Sequence, residues 1–255
     1  MSPFSSDSGL FTLLSKRDAI ALLELIYASL TCTTQECLTE LMESIKSLLP
    51  FDYGLCGFAK IDEKGMKSGF DLVNSSYPRE WLDVYVEKNY LKIDPIVKEH
   101  LAHFDAQFWD DTYKKYEIPK KFISESRDFG LLKGYTYGLK NSSSKQVSLF
   151  SFAGPDLIRD ERTEAIIRLV TPHLHQCYLR INQEREKMAM PPLSEREREV
   201  LNWLGQGKSS WEISIILAIG ERTVKFHVEN IKNKLNATSR AHAVAIALDL
   251  GLITF

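Results

Sequence analysis

Side chains able to contact a phosphate backbone and base edges recur in the stretch from Glu221 to Leu235. At 3.6 residues per turn, the apolar residues of this stretch share one helical face, which could pack on a small domain. The opposite face is polar, begins with cations, and is long enough for a major groove, which admits one α-helix. An ordinary amphipathic surface helix is the alternative at this point. The polar face carries Arg222, Lys225, Phe226, Glu229 and Asn233.

A second cluster, in the first half of the chain, combines aromatic side chains with one carboxylate. Trp81 and Tyr85 are four residues apart and share a helical face, which is also typical of an aromatic core. Asp94 stands between Ile93 and Pro95, where a carboxylate either caps the next helix or faces inward. From the residues alone both alternatives stay open. The cluster comprises Tyr77, Trp81, Tyr85, Asp94, Pro95 and Trp109.

The elements around the first cluster are predicted to be four short helices. A capping box beginning at Ser194 starts the first helix, and Ser209 or Ser210 caps the second. Gly220 is expected to cap the third helix and to supply the tight turn before it. The fourth helix is rich in alanine and spans residues 240–250. Four short helices with a tight turn between the second and third form a helix-turn-helix.

The stretch from Leu193 to Ile253 resembles the C-terminal DNA-binding domain of the LuxR family. Glu197, Leu201 and Gly207 stand at the spacing of that family's hallmark residues. The resemblance implies an all-α, four-helix helix-turn-helix domain that binds double-stranded DNA.

By the same resemblance, three residues of the polar face occupy the positions that the family uses at base edges. Lys225 would contact guanine, Phe226 a thymine methyl group, and Glu229 a cytosine amino group. Glu229 departs from the basic residue often found at this position in relatives, so the preferred DNA site is expected to differ. The candidates for phosphate contacts are Lys208, Thr223 and Lys232.

The elements around the second cluster alternate between helices and strands. Apolar residues at helical spacing predict helices from Lys16 to Leu30 and from Thr34 to Leu49, and a long helix from Asp160 to about Lys187. The whole pattern predicts an α+β domain, an α-β-α sandwich with a mostly antiparallel sheet. The predicted strands are Tyr53–Lys60, Lys67–Val73, Gly134–Leu139 and Val147–Ala153, with turns at 62–65 and 141–144.

The pattern YPxxWxxxYxxxxYxxxDP, from Tyr77 to Pro95, resembles the autoinducer-binding domain of LuxR-type quorum-sensing receptors. Trp109 follows Asp94 at the family's interval, and residues 129–134 resemble the segment that enters the family's central strands. Gly138 stands where the family usually has proline, so the strand path near the acyl chain of a ligand is expected to differ.

This second resemblance implies that an N-acyl homoserine lactone binds in the first domain. Trp81 would donate its indole N–H to the lactone carbonyl, and Asp94 would accept from the amide N–H. Ser151, favoured over Ser148, would join Tyr77 at the amide carbonyl. Two further aromatic side chains would pack against the lactone or the start of the acyl chain. The predicted ligand-binding residues are Tyr77, Trp81, Tyr85, Asp94, Trp109 and Ser151.

Together the two resemblances imply a quorum-sensing transcriptional activator with three segments: an autoinducer-binding and dimerisation domain at 1–175, a linker at 176–192, and the DNA-binding domain at 193–255. It would bind a palindromic promoter site as a homodimer, with residues 160–187 supplying much of the dimer surface and RNA polymerase as the expected partner. The alternative is a LuxR-type regulator that answers to a different small molecule, or that works without one.

The composition is that of a globular protein, with 44% hydrophobic and 26% charged residues and a net charge of −2. From Leu193 onwards, eight lysines and arginines stand against seven acidic residues. DNA affinity must therefore come from a small cationic surface and from dimerisation. The four cysteines have no metal-ligand spacing, and neither a signal peptide nor a membrane span is recognisable. We expect reduced thiols, no cofactor or metal, no membrane partner, and a cytoplasmic protein.

Two other classes of protein fit the sequence poorly. A phospho-receiver needs a phosphorylatable aspartate at a strand end, whereas Asp110 and Asp111 follow an aromatic pair far into the chain. An enzyme is disfavoured because the chain has no glycine-rich phosphate loop, nucleophile elbow or metal motif. His100 and His103 lie one helical turn apart, but no carboxylate cluster completes a site around them.

Overall fold

The computed structural model describes residues 12–62, 65–140 and 146–253. The chain divides into two compact units, Met1–Arg180 and Ile181–Phe255, each described here by itself. The middle of the predicted turn at 62–65 and the whole predicted turn at 141–144 lie outside the described residues, as do residues 1–11 and 254–255. In the described part of the chain, no helix has the length and apolar character needed to cross a membrane.

The first unit is built on a five-stranded sheet in the order β2-β1-β5-β4-β3. Every strand pair is antiparallel, which confirms and sharpens the prediction of a mostly antiparallel sheet. The edge strand β3 was not predicted, because two residues are too few to show an alternating pattern. The strands are β1 Tyr53–Asp62, β2 Gly65–Asn74, β3 Gln107–Phe108, β4 Gly134–Tyr137 and β5 Gln146–Ala153.

Helices cover both faces of this sheet, as predicted for an α-β-α sandwich. On one face, Phe58 of β1 stacks on Tyr178 with ring centroids 3.3 Å apart. The other face carries Leu55 and Ser151, which pair across β1 and β5. The helices are α1 Lys16–Ser29, α2 Gln35–Ser44, α3 Arg79–Glu87, α4 Pro95–His103, α5 Trp109–Lys115, α6 Lys120–Asp128 and α7 Glu161–Ala189, with 3-10 turns at Ile45–Ser47 and Tyr90–Lys92.

Helix α1 does not bury the apolar stripe that its sequence suggests. Its inner face consists of Leu22, Leu25 and Ser29, and Asp18 forms an ion pair with Arg162 of α7. A second apolar stripe on the same helix faces solvent. Its members and their exposed fractions are Ile20 48%, Leu23 65%, Tyr27 77% and Leu30 61%.

Helix α7 closely matches the long helix predicted from Asp160 to about Lys187. It continues to Ala189, so most of the predicted linker at 176–192 is helical. The division between the two compact units falls within this helix, at Arg180. The apolar side chains of its first turns are buried in their own unit, including Ile166, Val170 and Leu174.

The second unit contains four helices after α7: α8 Glu195–Gly205, α9 Ser210–Ile216, α10 Glu221–Lys234 and α11 Arg240–Asp249. The capping box at Ser194 is confirmed, and Ser209 rather than Ser210 caps α9. Gly220 caps α10 as predicted, with an ordinary φ of −65°. The left-handed residue of the turn is Ala218, at φ 51°.

Candidate functional site

A cavity of about 420 Å³ lies between the sheet and helices α3 to α6 of the first unit. Its lining is mainly aliphatic and aromatic, with a few polar groups, as small-molecule sites usually are. All six residues predicted to bind a ligand line it: Tyr77, Trp81, Tyr85, Asp94, Trp109 and Ser151. The aliphatic part includes Leu55, Leu72, Leu82, Val86, Leu91, Ile96, Val97 and Leu149.

Asp94 fills both roles that its sequence position left open. Its Oδ1 accepts a hydrogen bond from the Ile96 backbone N–H at 2.8 Å, which caps α4 with Pro95 in the first turn. Its Oδ2 accepts a hydrogen bond from the Tyr85 hydroxyl, also at 2.8 Å. Burial raises the pKa of this carboxyl above its usual value, although the hydrogen bonds favour the charged form and lower the pKa. A carboxylate is thus held at the cavity wall at an electrostatic cost.

A chain of hydrogen bonds crosses the floor of the cavity on the sheet. The Trp109 indole N–H donates to Thr136 Oγ1 at 2.9 Å, and Thr136 Oγ1 lies 2.8 Å from Ser151 Oγ. Thr136 and Ser151 are cross-strand neighbours on β4 and β5. If Thr136 donates to Ser151, the Ser151 proton is left to point into the cavity. Thr136 was missed from the sequence, although the alternation of Gly134–Tyr137 places it opposite its tyrosine neighbours.

Trp81 forms the aromatic wall of the cavity. It is only 4% exposed, and its ring centroid lies 5.8 Å from Tyr85, 6.0 Å from Phe122 and 5.7 Å from Phe129. Trp81 therefore belongs both to the aromatic core and to the lining of the cavity. Among the hydrogen bonds of the described residues, none uses the Trp81 indole N–H, so this donor is available to a ligand.

Three phenols surround the Asp94 carboxylate. Burial raises the pKa of Tyr77, Tyr85 and Tyr113, and the negative charge of Asp94 raises each further. All three are therefore neutral hydrogen-bond donors at physiological pH. Tyr113 was not predicted as a cavity residue, although it lies four residues after Trp109 on the same helical face.

Ser148, the rejected alternative to Ser151, lies on the opposite face of the sheet. Its Oγ accepts from the Leu139 backbone N–H at 3.1 Å and lies 2.8 Å from Nδ1 of His175. Its carbonyl oxygen lies 2.7 Å from Nε2 of buried His100. A Cβ at Gly138 would come within 1.9 Å of that carbonyl oxygen. The strand path here therefore requires glycine.

The second unit presents α10 with the two faces predicted for it. Val224, Val228 and Ile231 are buried in the core of the unit. The candidates for base contacts, Lys225, Phe226 and Glu229, are exposed, and Phe226 is 62% exposed. Such a helix has the dimensions and surface for a major groove.

The lysines predicted to contact DNA are each paired with an acidic neighbour. Lys225 Nζ lies 2.8 Å from Glu221, and Lys232 Nζ lies 3.0 Å from Glu229. Lys208 Nζ lies 3.7 Å from Glu212, and the sixth candidate, Thr223, is exposed at the start of α10. Ion pairs near the surface are weak, because water and salt screen them, so phosphate oxygens can replace the acidic partners at small cost.

Two family models match the chain, one for each unit. Residues 34–178 match the autoinducer binding domain, and residues 191–247 match the model described as bacterial regulatory proteins, luxR family. The first match contains every residue described around the cavity. The second contains α8 to α10 and most of α11.

Curated relatives and solved structures resemble the chain over most of its length. The quorum sensing-dependent transcriptional regulator RpaR of Rhodopseudomonas palustris is 34% identical to this chain, and the match covers 78% of this chain and 84% of RpaR. The transcriptional activator LuxR of Aliivibrio fischeri is 30% identical, and the match covers 88% of this chain and 90% of LuxR. The crystal structure of Escherichia coli SdiA is 26% identical with a TM-score of 0.57, covering 92% and 98%. A second structure, of SdiA in complex with octanoyl-rac-glycerol, is 24% identical with a TM-score of 0.58, covering 95% and 99%.

Proposed function

The chain belongs to the LuxR family of ligand-responsive transcription factors, and we propose that its ligand is an N-acyl homoserine lactone. The proposal rests on Asp94, a buried carboxylate at the cavity wall that accepts one phenol O–H and one backbone N–H. A carboxylate offers roughly four lone-pair positions, so it retains capacity for another donor. An amide N–H is the donor that an acyl homoserine lactone supplies.

The remaining polar groups suit the other polar atoms of such a ligand. The free indole N–H of Trp81 would donate to the lactone carbonyl, and the hydroxyls of Ser151 and Tyr77 would donate to the amide carbonyl. The aliphatic lining would enclose the acyl chain, and Trp109 and Tyr85 would pack beside the lactone. The protein would need neither a cofactor nor a catalytic group for this role.

A second candidate is a different acyl ligand. The solved complex of SdiA with octanoyl-rac-glycerol carries an acyl ester, which has no amide nitrogen. Its hydroxyls, rather than an N–H, would be the donors to an acceptor such as Asp94. The two candidates therefore differ in the group that meets this carboxylate.

Ligand binding would act on DNA binding through stability. A ligand at about 100 times its dissociation constant adds ~2.7 kcal/mol to the stability of the state that binds it. We propose that this stabilises the first unit and, through it, a homodimer in the cytoplasm. The dimer would present two copies of α10 to half-sites about one helical turn apart. At each half-site, Lys225, Phe226 and Glu229 would meet base edges, and Lys208, Thr223 and Lys232 would meet phosphates.

We also propose the exposed stripe on α1 as a dimerisation surface, in addition to the residues 160–187 predicted from the sequence. A row of four apolar side chains at helical spacing is complementary to a second copy of itself about a twofold axis. Sedimentation velocity of Leu23→Glu should show a shift towards monomer, whereas Glu24→Lys on the same helix should leave the distribution unchanged. RNA polymerase is the expected partner of the bound dimer at the promoter.

Thermal melting of the purified protein tests the ligand class. The panel holds N-acyl homoserine lactones of different chain length together with octanoyl-rac-glycerol. A rise of several degrees with one lactone, lost in Trp81→Phe and Asp94→Asn, is expected. Tyr90→Phe is the matched control, because the Tyr90 hydroxyl donates to Glu125 and does not line the cavity. A protein that is folded, free of ligand, and unaffected by every lactone would refute the lactone assignment.

A further inference from the structure

Tyr113 brings a hydrogen-bond donor to the cavity wall that has no acceptor in the described part of the protein. It lies on α5, four residues after Trp109, and both side chains line the cavity. The side chain is partly buried, and its phenol keeps its proton because burial raises its pKa. The Tyr113 hydroxyl takes part in none of the hydrogen bonds among residues 12–62, 65–140 and 146–253. Such a donor gains free energy when a ligand brings an acceptor to it.

The other side-chain donors at the cavity wall already have acceptors or solvent. Three are bonded within the protein: the Tyr85 hydroxyl to Asp94, the Trp109 indole to Thr136, and the Ser126 hydroxyl to the Phe122 carbonyl oxygen at 2.7 Å. Three more serve the proposed lactone: Trp81 at the lactone carbonyl, and Tyr77 and Ser151 at the amide carbonyl. Asn89 is exposed at the rim, so its amide is open to solvent. The Tyr113 hydroxyl is therefore one donor more than these contacts use.

Tyr113 belongs to the amide side of the cavity rather than to the lactone side. Trp109, one helical turn or about 5.4 Å before Tyr113, bonds through Thr136 to Ser151, the proposed donor to the amide carbonyl. Tyr113 is not among the rings of the described chain that contact Trp81, the proposed lactone donor. Those rings are Tyr85, Tyr90, Phe122 and Phe129. A ligand oxygen that meets Tyr113 therefore lies close to the amide, on its acyl side.

We propose that the ligand carries a keto oxygen on the third carbon of its acyl chain, and that the Tyr113 hydroxyl donates to this oxygen. This role of Tyr113 rests on the proposed function, because it requires a lactone that Trp81 and Asp94 already hold. The third carbon is two bonds from the amide carbonyl carbon, so its oxygen stays within one helical turn of the donors at the amide. A keto oxygen only accepts hydrogen bonds, and Tyr113 supplies the donor. A ligand without this oxygen leaves the Tyr113 donor unpaired and should bind more weakly.

Binding of a matched series of lactones to the full-length protein tests this role. The series holds the 3-oxo, the 3-hydroxy and the unsubstituted N-acyl homoserine lactone of one chain length, the length that gives the largest melting shift. Tryptophan fluorescence reports binding, because Trp81 and Trp109 line the cavity. In the wild type, the 3-oxo ligand should bind about 5- to 10-fold more tightly than the unsubstituted one. In Tyr113→Phe this ratio should fall to about 1, because the unsubstituted ligand loses no contact.

Tyr116→Phe is the matched control and should keep the wild-type ratio. Tyr116 follows the same helix, but its hydroxyl donates to Glu99 at 2.7 Å and its side chain does not line the cavity. Both substitutions keep the aromatic ring, so the ligand-free melting temperature of Tyr113→Phe should stay close to that of the wild type.

The possible outcomes separate this role from the proposed function. Equal binding of the 3-oxo and unsubstituted ligands to the wild type, a 3-oxo preference that survives in Tyr113→Phe, or an equal loss for all three ligands would each overturn the role of Tyr113 and leave the lactone assignment intact. Tighter binding of the 3-hydroxy than of the 3-oxo ligand would overturn the keto oxygen. Binding of none of the three would overturn the proposed function, and this role with it.

Discussion

Replacing Asp94 by asparagine should separate ligand binding from folding. Asparagine is about as good a helix N-cap as aspartate, so the hydrogen bond to the Ile96 N–H and the start of α4 should persist. With the amide oxygen at the Ile96 N–H, the amide NH2 takes the place of Oδ2 and can donate to the Tyr85 hydroxyl oxygen instead of accepting from it. Because the substitution also removes a charge whose burial is unfavourable, the ligand-free melting temperature should stay the same or rise.

The ligand, in contrast, should lose a charge-assisted hydrogen bond. Such a bond contributes about 1.5–3 kcal/mol, which corresponds to about 10- to 150-fold in affinity. Take a ligand concentration about 100 times the wild-type dissociation constant, where the ligand adds ~2.7 kcal/mol. A variant weakened ~30-fold would then gain only ~0.9 kcal/mol by the same relation. For a domain of this size, the melting shift should fall from roughly 5–11 °C to roughly 2–3 °C.

Differential scanning fluorimetry across a lactone titration measures both quantities. Tyr85→Phe is the contrasting variant, because it leaves the buried carboxylate without its phenol donor. It should lower the ligand-free stability by about 1–3 kcal/mol. The reasoning fails if Asp94→Asn keeps the full ligand shift, or if it lowers ligand-free stability as much as Tyr85→Phe does.

Three further predictions concern the rest of the molecule. Gly138→Ala should cost roughly 2–4 kcal/mol, because its Cβ would lie 1.9 Å from the Ser148 carbonyl oxygen, and the melting temperature measures the loss. Burial lowers the pKa of His100 in the folded protein to about 4, whereas an unfolded histidine has a pKa of about 6.5. Neutral His100 therefore contributes on the order of 3 kcal/mol to the free energy of unfolding above pH ~6.5. This contribution should be lost as the pH falls from about 6.5 towards 4. Urea unfolding at a series of pH values measures this loss. Lys225→Met should weaken binding to the specific DNA site by about 1–3 kcal/mol and relax the base preference at the position it contacts. Lys232→Met should weaken binding to all DNA sequences alike and lower by about 1 the slope of log affinity against log salt concentration. Fluorescence anisotropy measures both effects.

Each of these predictions has a matched control. Gly220→Ala places a Cβ no closer than 3.6 Å to any atom, so it should cost about 1 kcal/mol or less. His100→Gln should flatten the pH dependence, whereas His103→Gln should not, because the His103 side chain is 64% exposed. An unchanged pH curve in His100→Gln would contradict the histidine assignment. Equal effects of the two lysine variants on every DNA sequence would contradict the separation of base and phosphate contacts.

The residues that line the cavity could be predicted from the sequence where side-chain type and spacing were informative together. The pair of Trp81 and Asp94 lies in a long motif, and both line the cavity. Thr136 carries no such mark, because its role depends on the register between β4 and β5, which only the folded sheet defines. Helix α1 shows a different limit: it is apolar on two faces, and periodicity cannot tell which of Leu22 and Leu23 points inward. The pairing of Lys225 with Glu221 was not predicted, although the two stand four residues apart on one helix, a spacing that favours such pairs.

If the lysines of α10 contact DNA as proposed, their acidic neighbours would affect how the protein finds its promoter. Most of a chromosome is competing sequence, and attraction to arbitrary DNA comes almost entirely from cations that neutralise phosphates. A surface whose lysines already have acidic neighbours gains less from any random stretch of duplex. Fewer molecules are then sequestered away from the promoter, and occupancy depends more on the few base contacts of the correct site. Under the proposed function, fewer molecules per cell would then be needed to occupy that site.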